Sequence, residues 1–169
     1  MTLRPLVAAD HAAVLRLNAE SVQFLSAMDS QRLAQLHAQA ALATVVERAG
    51  EVVAFLLAFR EGAAYDSVNY QWFAQRYDRF LYVDRVVVGE QARRSGIATQ
   101  LYGQVVAQAA AGGVPLVALE IDSDPPNAPS ERFHARYAFR EVGRQAVPYA
   151  PKVVSMRVAD VPLRQATAG

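Results

Sequence analysis

Two sets of residues in this chain of 169 have the types and spacing to do chemistry. The first is Arg93-Arg94-Ser95-Gly96-Ile97-Ala98-Thr99. It stands where the apolar run Val86-Val87-Val88 gives way, through glycine and charge, to an amphipathic stretch. A strand–loop–helix junction is an anion site before any side chain is counted. The first N–H groups of a helix have no partner inside it, and that end is electropositive. Gly96 has no Cβ to hold a phosphate off, Ala98 is nearly as small, and Arg93 and Arg94 add charge. The bland alternative is a turn and nothing more. The three-glycine spacing of the dinucleotide fingerprint is absent, and no Gly-Lys-Ser/Thr of a Walker loop follows.

The second set is carboxylates inside apolar strands. Asp84 lies in Leu81-Tyr82-Val83-Asp84-Arg85, where an acid is costly unless it is paired or functional. Arg85 or another arginine could pair with it. Glu120 and Asp122 are two residues apart and share a face of the next strand. Either could take a proton or hold a cation.

The elements that must position these residues follow from periodicity. Leu3–Leu6 reads as a short strand, and Asp10 stands where an N-cap belongs before a helix carrying Val14, Leu17 and Val22. Asp29 or Ser30 caps a second helix with Leu33 and Leu36 on its apolar side. Strands over 44–48 and 52–60 flank a turn signal at Gly50-Glu51 and form a hairpin. Residues 61–79 are long for a connection and rich in aromatics, which suggests a binding lid that is partly helical, or aromatics packed over a sheet edge or dimer contact. Then come a strand over 80–88, a helix over 94–111 stopped by Gly112-Gly113, a strand over 115–121, a turn-rich loop, a short helix over 130–137, and closing strands over 139–146 and 153–158. Alternation in the middle with hairpins at the ends predicts an α/β (α+β) domain with a mixed central sheet flanked by helices, in the order β-α-α-β-β-β-α-β-α-β-β. A single domain over 1–160 is expected, with 161–169 a flexible tail.

Composition narrows the function. Apolar residues are 53% and charged residues 20% of the chain, a globular balance. Seventeen basic and sixteen acidic residues leave a net charge of +1, so nucleic acid and membrane are not expected partners. Without cysteine there is no disulfide, cysteine metal site or cysteine nucleophile. No histidine–carboxylate cluster has ligand spacing, so no metal is expected. His11 and His37 read as surface residues. The apolar runs are too short to span a bilayer and no secretory signal is visible, so a cytoplasmic location is expected.

Arg93-Arg94-Ser95-Gly96-Ile97-Ala98 fits Gln/Arg-x-x-Gly-x-Gly/Ala and resembles the acetyl-CoA motif of the GNAT N-acetyltransferases. The context agrees: an apolar strand precedes it, Leu101-Tyr102 follow on the helix, and a strand LVALEID comes next. Asn127-Ala128-Pro129-Ser130-Glu131-Arg132-Phe133-His134, running on to Ala138-Phe139, is similar to the family's Asn-x-x-Ala/Ser-x-x-Leu/Phe-Tyr-x-x-x-Gly-Phe. The resemblance is specific from about Leu81 to Gly143 and suggests a bacterial branch of the family. It departs at two positions: His134 replaces the family's tyrosine, and Ala138 replaces its glycine, implying a slightly different turn.

The resemblance implies a GNAT-like fold and transfer of an acetyl group from acetyl-CoA to a primary amine, small or protein-borne, by direct attack in a ternary complex. Homodimers are common in the family. It implies that the backbone of Val86, Val87 and Val88 pairs with the pantetheine arm and that Arg93 to Thr99 (Arg93, Arg94, Ser95, Gly96, Ile97, Ala98, Thr99) hold the pyrophosphate. Asn127, Ser130 and Phe133 would border the pantetheine. His134 would sit near the sulfur as a general acid, since histidine exchanges a proton near neutrality; the alternative is a packing role. For the base, Asp84, Glu120, Asp122 and a water chain all stay open. Asp66, Asp78 and Asp84 suit a cationic acceptor. An acyl-CoA sensor with little catalysis is the competing reading, and a structural domain with an empty phosphate site a third.

Overall fold

The computed structural model describes residues 1–21 and 27–163. Val22 and the end of the expected tail lie outside them. Among the described residues the order is β1 Thr2–Pro5, α1 His11–Glu20, α2 Ser30–Gln39, β2 Leu42–Arg48, β3 Glu51–Arg60, α3 Val68–Ala74, β4 Leu81–Val88, α4 Ile97–Ala111, β5 Leu116–Asp124, α5 Ala128–Ala135, β6 Arg140–Ala146 and β7 Val153–Asp160. The seven strands form one sheet in the order β1-β2-β3-β4-β5-β7-β6. Its β4–β5 pairing is parallel, whereas the β1–β2, β2–β3, β5–β7 and β6–β7 pairings are antiparallel. The mixed α/β sheet expected from the pattern is therefore present. Among the described residues no helix is long and apolar enough to cross a membrane.

The chain divides into two compact units, Met1–Ala64 with Val83–Val105, and Tyr65–Tyr82 with Val106–Gly169. In the first unit β3 is the buried centre: every residue from Ala54 to Phe59 is inaccessible. Helices α1 and α2 pack on it, with Val14, Leu17, Leu33 and Leu36 turned inward at the spacing an amphipathic helix requires. Asp29 caps α2, accepting a 2.7 Å bond from the Arg32 N–H. Asp10 does not cap α1. Arg4 takes its carboxylate in two bonds, at 2.8 and 3.0 Å, and the Val7 N–H adds a third at 3.0 Å; a charge-assisted fork outcompetes a cap. The hairpin turn is Ala49-Gly50 and not Gly50-Glu51. Both residues have positive φ, 52° and 81°, as a two-residue turn matching the strand twist demands.

The second unit is built on aromatics. Residues 61–79 do contain a helix, α3, capped by Ser67 accepting from the Tyr70 N–H at 3.3 Å. Tyr65, Tyr70 and Phe73 are buried. Tyr70 packs at 5.7 Å against both Phe80 and Tyr82, and Phe73 lies 5.7 Å from Tyr82. Of the two expectations for this segment, packing describes most of its rings. Trp72 packs against Gly143 of β6, whose missing Cβ is what lets the indole approach.

Ala138 marks a local conflict. Its φ is +57°, the left-handed region in which a Cβ crowds the following carbonyl at a cost of about 1–2 kcal/mol. Glycine avoids that strain but loses more chain entropy on folding, by roughly 0.5–1 kcal/mol. Ala138→Gly is therefore expected to stabilise the fold by about 0.5–1 kcal/mol, raising the melting temperature by roughly 2 °C, as read by thermal denaturation.

Candidate active site

In the first unit the chain leaves β4 at Val88, passes Gly89 and a 3-10 turn over Glu90–Ala92, and enters α4 at Ile97. The junction is tightly anchored. The Gly89 N–H bonds Val53 O at 2.9 Å, and a Cβ on Gly89 would meet Leu17 at 2.9 Å. Arg48 reaches the Gln91 carbonyl at 3.1 Å, and the Ser95 hydroxyl donates to Ala92 O. Ala92 and Ile97 are buried pins at either end, so Ile97 can offer a ligand its N–H and not its side chain. Between them Arg93, Arg94, Ser95 and Gly96 are exposed.

Two left-handed residues, Arg94 at φ 60° and Gly96 at φ 78°, shape the loop. The first helical bond is Gln100 N–H to Gly96 O at 3.1 Å. The N–H groups of Ile97, Ala98 and Thr99 therefore start the helix with no acceptor inside it. A Cβ built on Gly96 meets nothing within 4 Å, so its surface is open to a ligand. Three donors, a positive helix end and two exposed arginines fit a pyrophosphate in this cradle.

Asp84, also in the first unit, is already engaged. Arg85 Nε lies 3.2 Å from its carboxylate, both side chains being buried, and Arg85 Nη1 donates to Asn18 Oδ1 of α1 at 2.9 Å. Of the two readings of Asp84, the ion pair is formed. His11 and His37 are not separate surface residues: they share a 2.9 Å hydrogen bond between α1 and α2.

In the second unit Glu120 sits on β5. Its Oε2 accepts from the Tyr82 hydroxyl at 2.7 Å and its Oε1 from the Asn69 amide at 3.2 Å. Asp122, its neighbour on the same face, forms a 3.0 Å ion pair with Lys152 from the β6–β7 hairpin. The two candidate bases thus differ: Asp122 has its charge answered by an ammonium, whereas a hydroxyl and an amide hold Glu120. Asp66 and Asp78 are exposed.

Asn127 caps α5, its side chain accepting from the Ser130 N–H at 3.3 Å. Ser130 and Phe133 are half-buried on that helix. His134 is 9% exposed, and its Nδ1 lies 2.7 Å from Ser130 O and 3.2 Å from Ser130 Oγ. A carbonyl can only accept, so Nδ1 carries the proton and Nε2 the lone pair. Burial pushes the imidazole below its ordinary value, the carbonyl bond opposes this, and the charge of Arg157 lowers it further. His134 is therefore a neutral imidazole at pH 7, presenting an acceptor. Burial and Arg157 disfavour the charged form that a general acid at this position would use.

The family model describing GNAT family acetyltransferases matches residues 12–139. The chain belongs to the GNAT acetyltransferase family. Acetyl-CoA is the co-substrate of this family, and the cradle before α4 has the shape and donors for its diphosphate. Solved structures share the fold at low identity. Ard1 from Thermoplasma volcanium has a TM-score of 0.76 at 19% identity, covering 95% of this chain and 97% of its own. The ribosomal-protein-S18-alanine N-acetyltransferase of Escherichia coli has a TM-score of 0.71 at 13% identity, covering 99% and 98%. The acetyltransferase yncA of Salmonella typhimurium, solved with acetyl-CoA, has a TM-score of 0.72 at 17% identity, covering 98% and 96%. No curated protein sequence matches the chain.

Asn69, Tyr82, Tyr149 and Lys152 were not singled out from sequence as site residues. Only the length and aromatic character of 61–79 hinted at the first, since the partners of each are remote in the chain.

Two outcomes are expected. Gly96→Glu places a carboxylate on the open face of the cradle and forces a side chain into a left-handed backbone, so acetyl-CoA affinity by calorimetric titration should fall at least tenfold. The depressed His134 also makes the unfolded chain bind more protons than the native one below the ordinary histidine value of 6.5. Stability is therefore full above pH 6.5 and lost as pH falls towards the native value; His11, lowered by burial and by His37, adds to the same slope. Melting temperatures between pH 7.5 and 5 should show a weaker acid slope in His134→Gln than in the parent.

Proposed function

We propose that the protein transfers the acetyl group of acetyl-CoA to a primary amine, by direct attack of the amine on the thioester with both substrates bound. The observation that carries this reading is the cradle at Arg93–Thr99, with Gly96 open and the helix donors aimed outward. The thioester supplies the activated acyl group. The chain contributes binding, orientation and proton handling. The N–H groups of Ile97, Ala98 and Thr99, with Arg93 and Arg94, hold the diphosphate, and the backbone of Val86–Val88 lines the pantetheine arm.

Glu120 takes the amine proton as the C–N bond forms and the C–S bond breaks. Tyr82 and Asn69 hold and aim its carboxylate. Asp84 and Asp122 are less suited, since each is neutralised by a cation. His134, neutral with its lone pair on Nε2, orients or accepts and does not donate. The departing thiolate needs little acid help, because an ordinary thiol ionises at about 8.5.

The acceptor best matched to a carboxylate base is an α-amine. At pH 7 about a tenth of an α-amine of pKa about 8 is unprotonated, against roughly one part in 2,500 for a lysine amine at 10.4. Similarity in fold to an enzyme that acetylates the alanine of a ribosomal protein supports the same class.

The test is thiol release from acetyl-CoA with two peptides, one with a free alanine N-terminus and no lysine, one N-terminally blocked with a single lysine. Turnover of the first at least tenfold faster is expected. Preference for the second would reassign the acceptor. Acetyl-CoA binding without release from any amine would leave an acyl-CoA sensor.

A further inference from the structure

We infer that Asn69 is a positioning residue for the acceptor side, fixing the Glu120 carboxylate and the Tyr149 hydroxyl in one arrangement; this rests on the reading of Glu120 as proton acceptor. Asparagine is mostly a surface residue, yet Asn69, the second residue of α3, is 2% exposed. A buried amide needs partners for two donors and a carbonyl. Here Nδ2 donates to Glu120 Oε1 at 3.2 Å and to the Tyr149 hydroxyl at 3.0 Å, and Oδ1 accepts from Gln145 Nε2 at 2.9 Å.

Gln145 decides the orientation. Its amide N–H can meet only an acceptor, so the carbonyl of Asn69 faces β6 and its NH2 group faces Glu120 and Tyr149. The same Gln145 nitrogen bonds Val68 O at 3.3 Å, tying the start of α3 to β6. The network runs from fully buried Tyr82, through Glu120 and Asn69, to Tyr149, which is 53% exposed. One end is fixed by aromatic packing and the other reaches solvent, as an acceptor site requires. Helix α3, placed between β3 and β4 in the chain, is the element that brings an amide to this point.

Mere packing would not couple Asn69 to the ionisation of Glu120; positioning does. Asn69→Asp keeps the shape but puts an oxygen where a donor met Glu120, and two carboxylates at that distance resist joint ionisation. In Asn69→Asp, kcat/KM for the alanine-initiated peptide should fall at least tenfold at pH 7. Its acid limb should move up by roughly one pH unit or more, with acetyl-CoA affinity unchanged. The Glu120 carboxyl, followed by 13C NMR and assigned through Glu120→Gln, should titrate higher by the same shift without any need for turnover. In the Glu120→Gln background Asn69→Asp should add no further loss.

Trp72, the only tryptophan, reports whether α3 stays docked. If its emission changes in Asn69→Asp, Gln145→Leu is the second variant. It leaves Asn69 intact, releases its amide and should raise the same limb; an unmoved limb overturns the inference. An unmoved titration, or an equal loss in the Glu120→Gln background, overturns it and leaves Glu120 as base. A wild-type rate and pH profile in Glu120→Gln overturns the Glu120 reading itself, and this inference with it.

Discussion

A carboxylate on a buried strand must be answered, because an ion stripped of water costs several kcal/mol unless charge or hydrogen bonds replace it. This chain faces the problem three times, at Asp84, Glu120 and Asp122, and solves it differently each time. Asp84 has the guanidinium of Arg85, itself held by Asn18. Asp122 has the ammonium of Lys152. Glu120 has a hydroxyl and an amide. A cation neutralises a carboxylate and makes it a poor base. Neutral donors such as the Tyr82 hydroxyl and the Asn69 amide fix its direction. What each carboxylate can do follows from its partner as much as from the acid itself.

The solution at Glu120 shapes its whole unit. Tyr82 can donate to it only because Tyr82 is locked between Tyr70 and Phe73. Those rings are held by α3, and α3 is held by Trp72 against Gly143 and by Gln145 on Val68. Asn69 arrives on the same helix. The segment between β3 and β4 therefore does two jobs at once: its apolar face completes a core and its polar edge orients a carboxylate. A lid of loose aromatics is a poor description of it, because Tyr65, Tyr70 and Phe73 are buried.

How far these features were legible depends on the range of the interaction behind them. The cradle was readable because it is local: Gly96, the preceding strand and the following helix lie within one stretch, and backbone donors depend on chain path alone. The alternation of strands and helices was readable for the same reason. The boundaries slipped where a nearby side chain or the backbone itself offered a competing arrangement. Asp10 looks like a cap until Arg4 takes it. The helix expected from Arg94 starts at Ile97 because Arg94 and Gly96 turn left-handed. The neutrality of His134 needs the fold, since burial and Arg157 set it. Asn69 left no signature beyond the unusual segment that carries it: its partners Glu120, Gln145 and Tyr149 are 51, 76 and 80 residues away.

The cradle and the surroundings of Glu120 are built from different material, and this bears on how such a fold persists at identities of 13–20% to solved structures. The cradle uses N–H groups, which any sequence supplies provided the chain turns correctly. Its demands reduce to an open Gly96, a buried pin at each end and a small residue at Gly89, where a Cβ would strike Leu17 and Val53. The surroundings of Glu120 use side chains, each satisfied by a particular partner, so one exchange there leaves a buried donor or acceptor unmet at a cost of about 1–3 kcal/mol. The cradle's geometry thus depends on few side chains. The contacts around Glu120 are therefore coupled, and α3 carries Asn69 and the rings behind it, Tyr70 and Phe73, on one element.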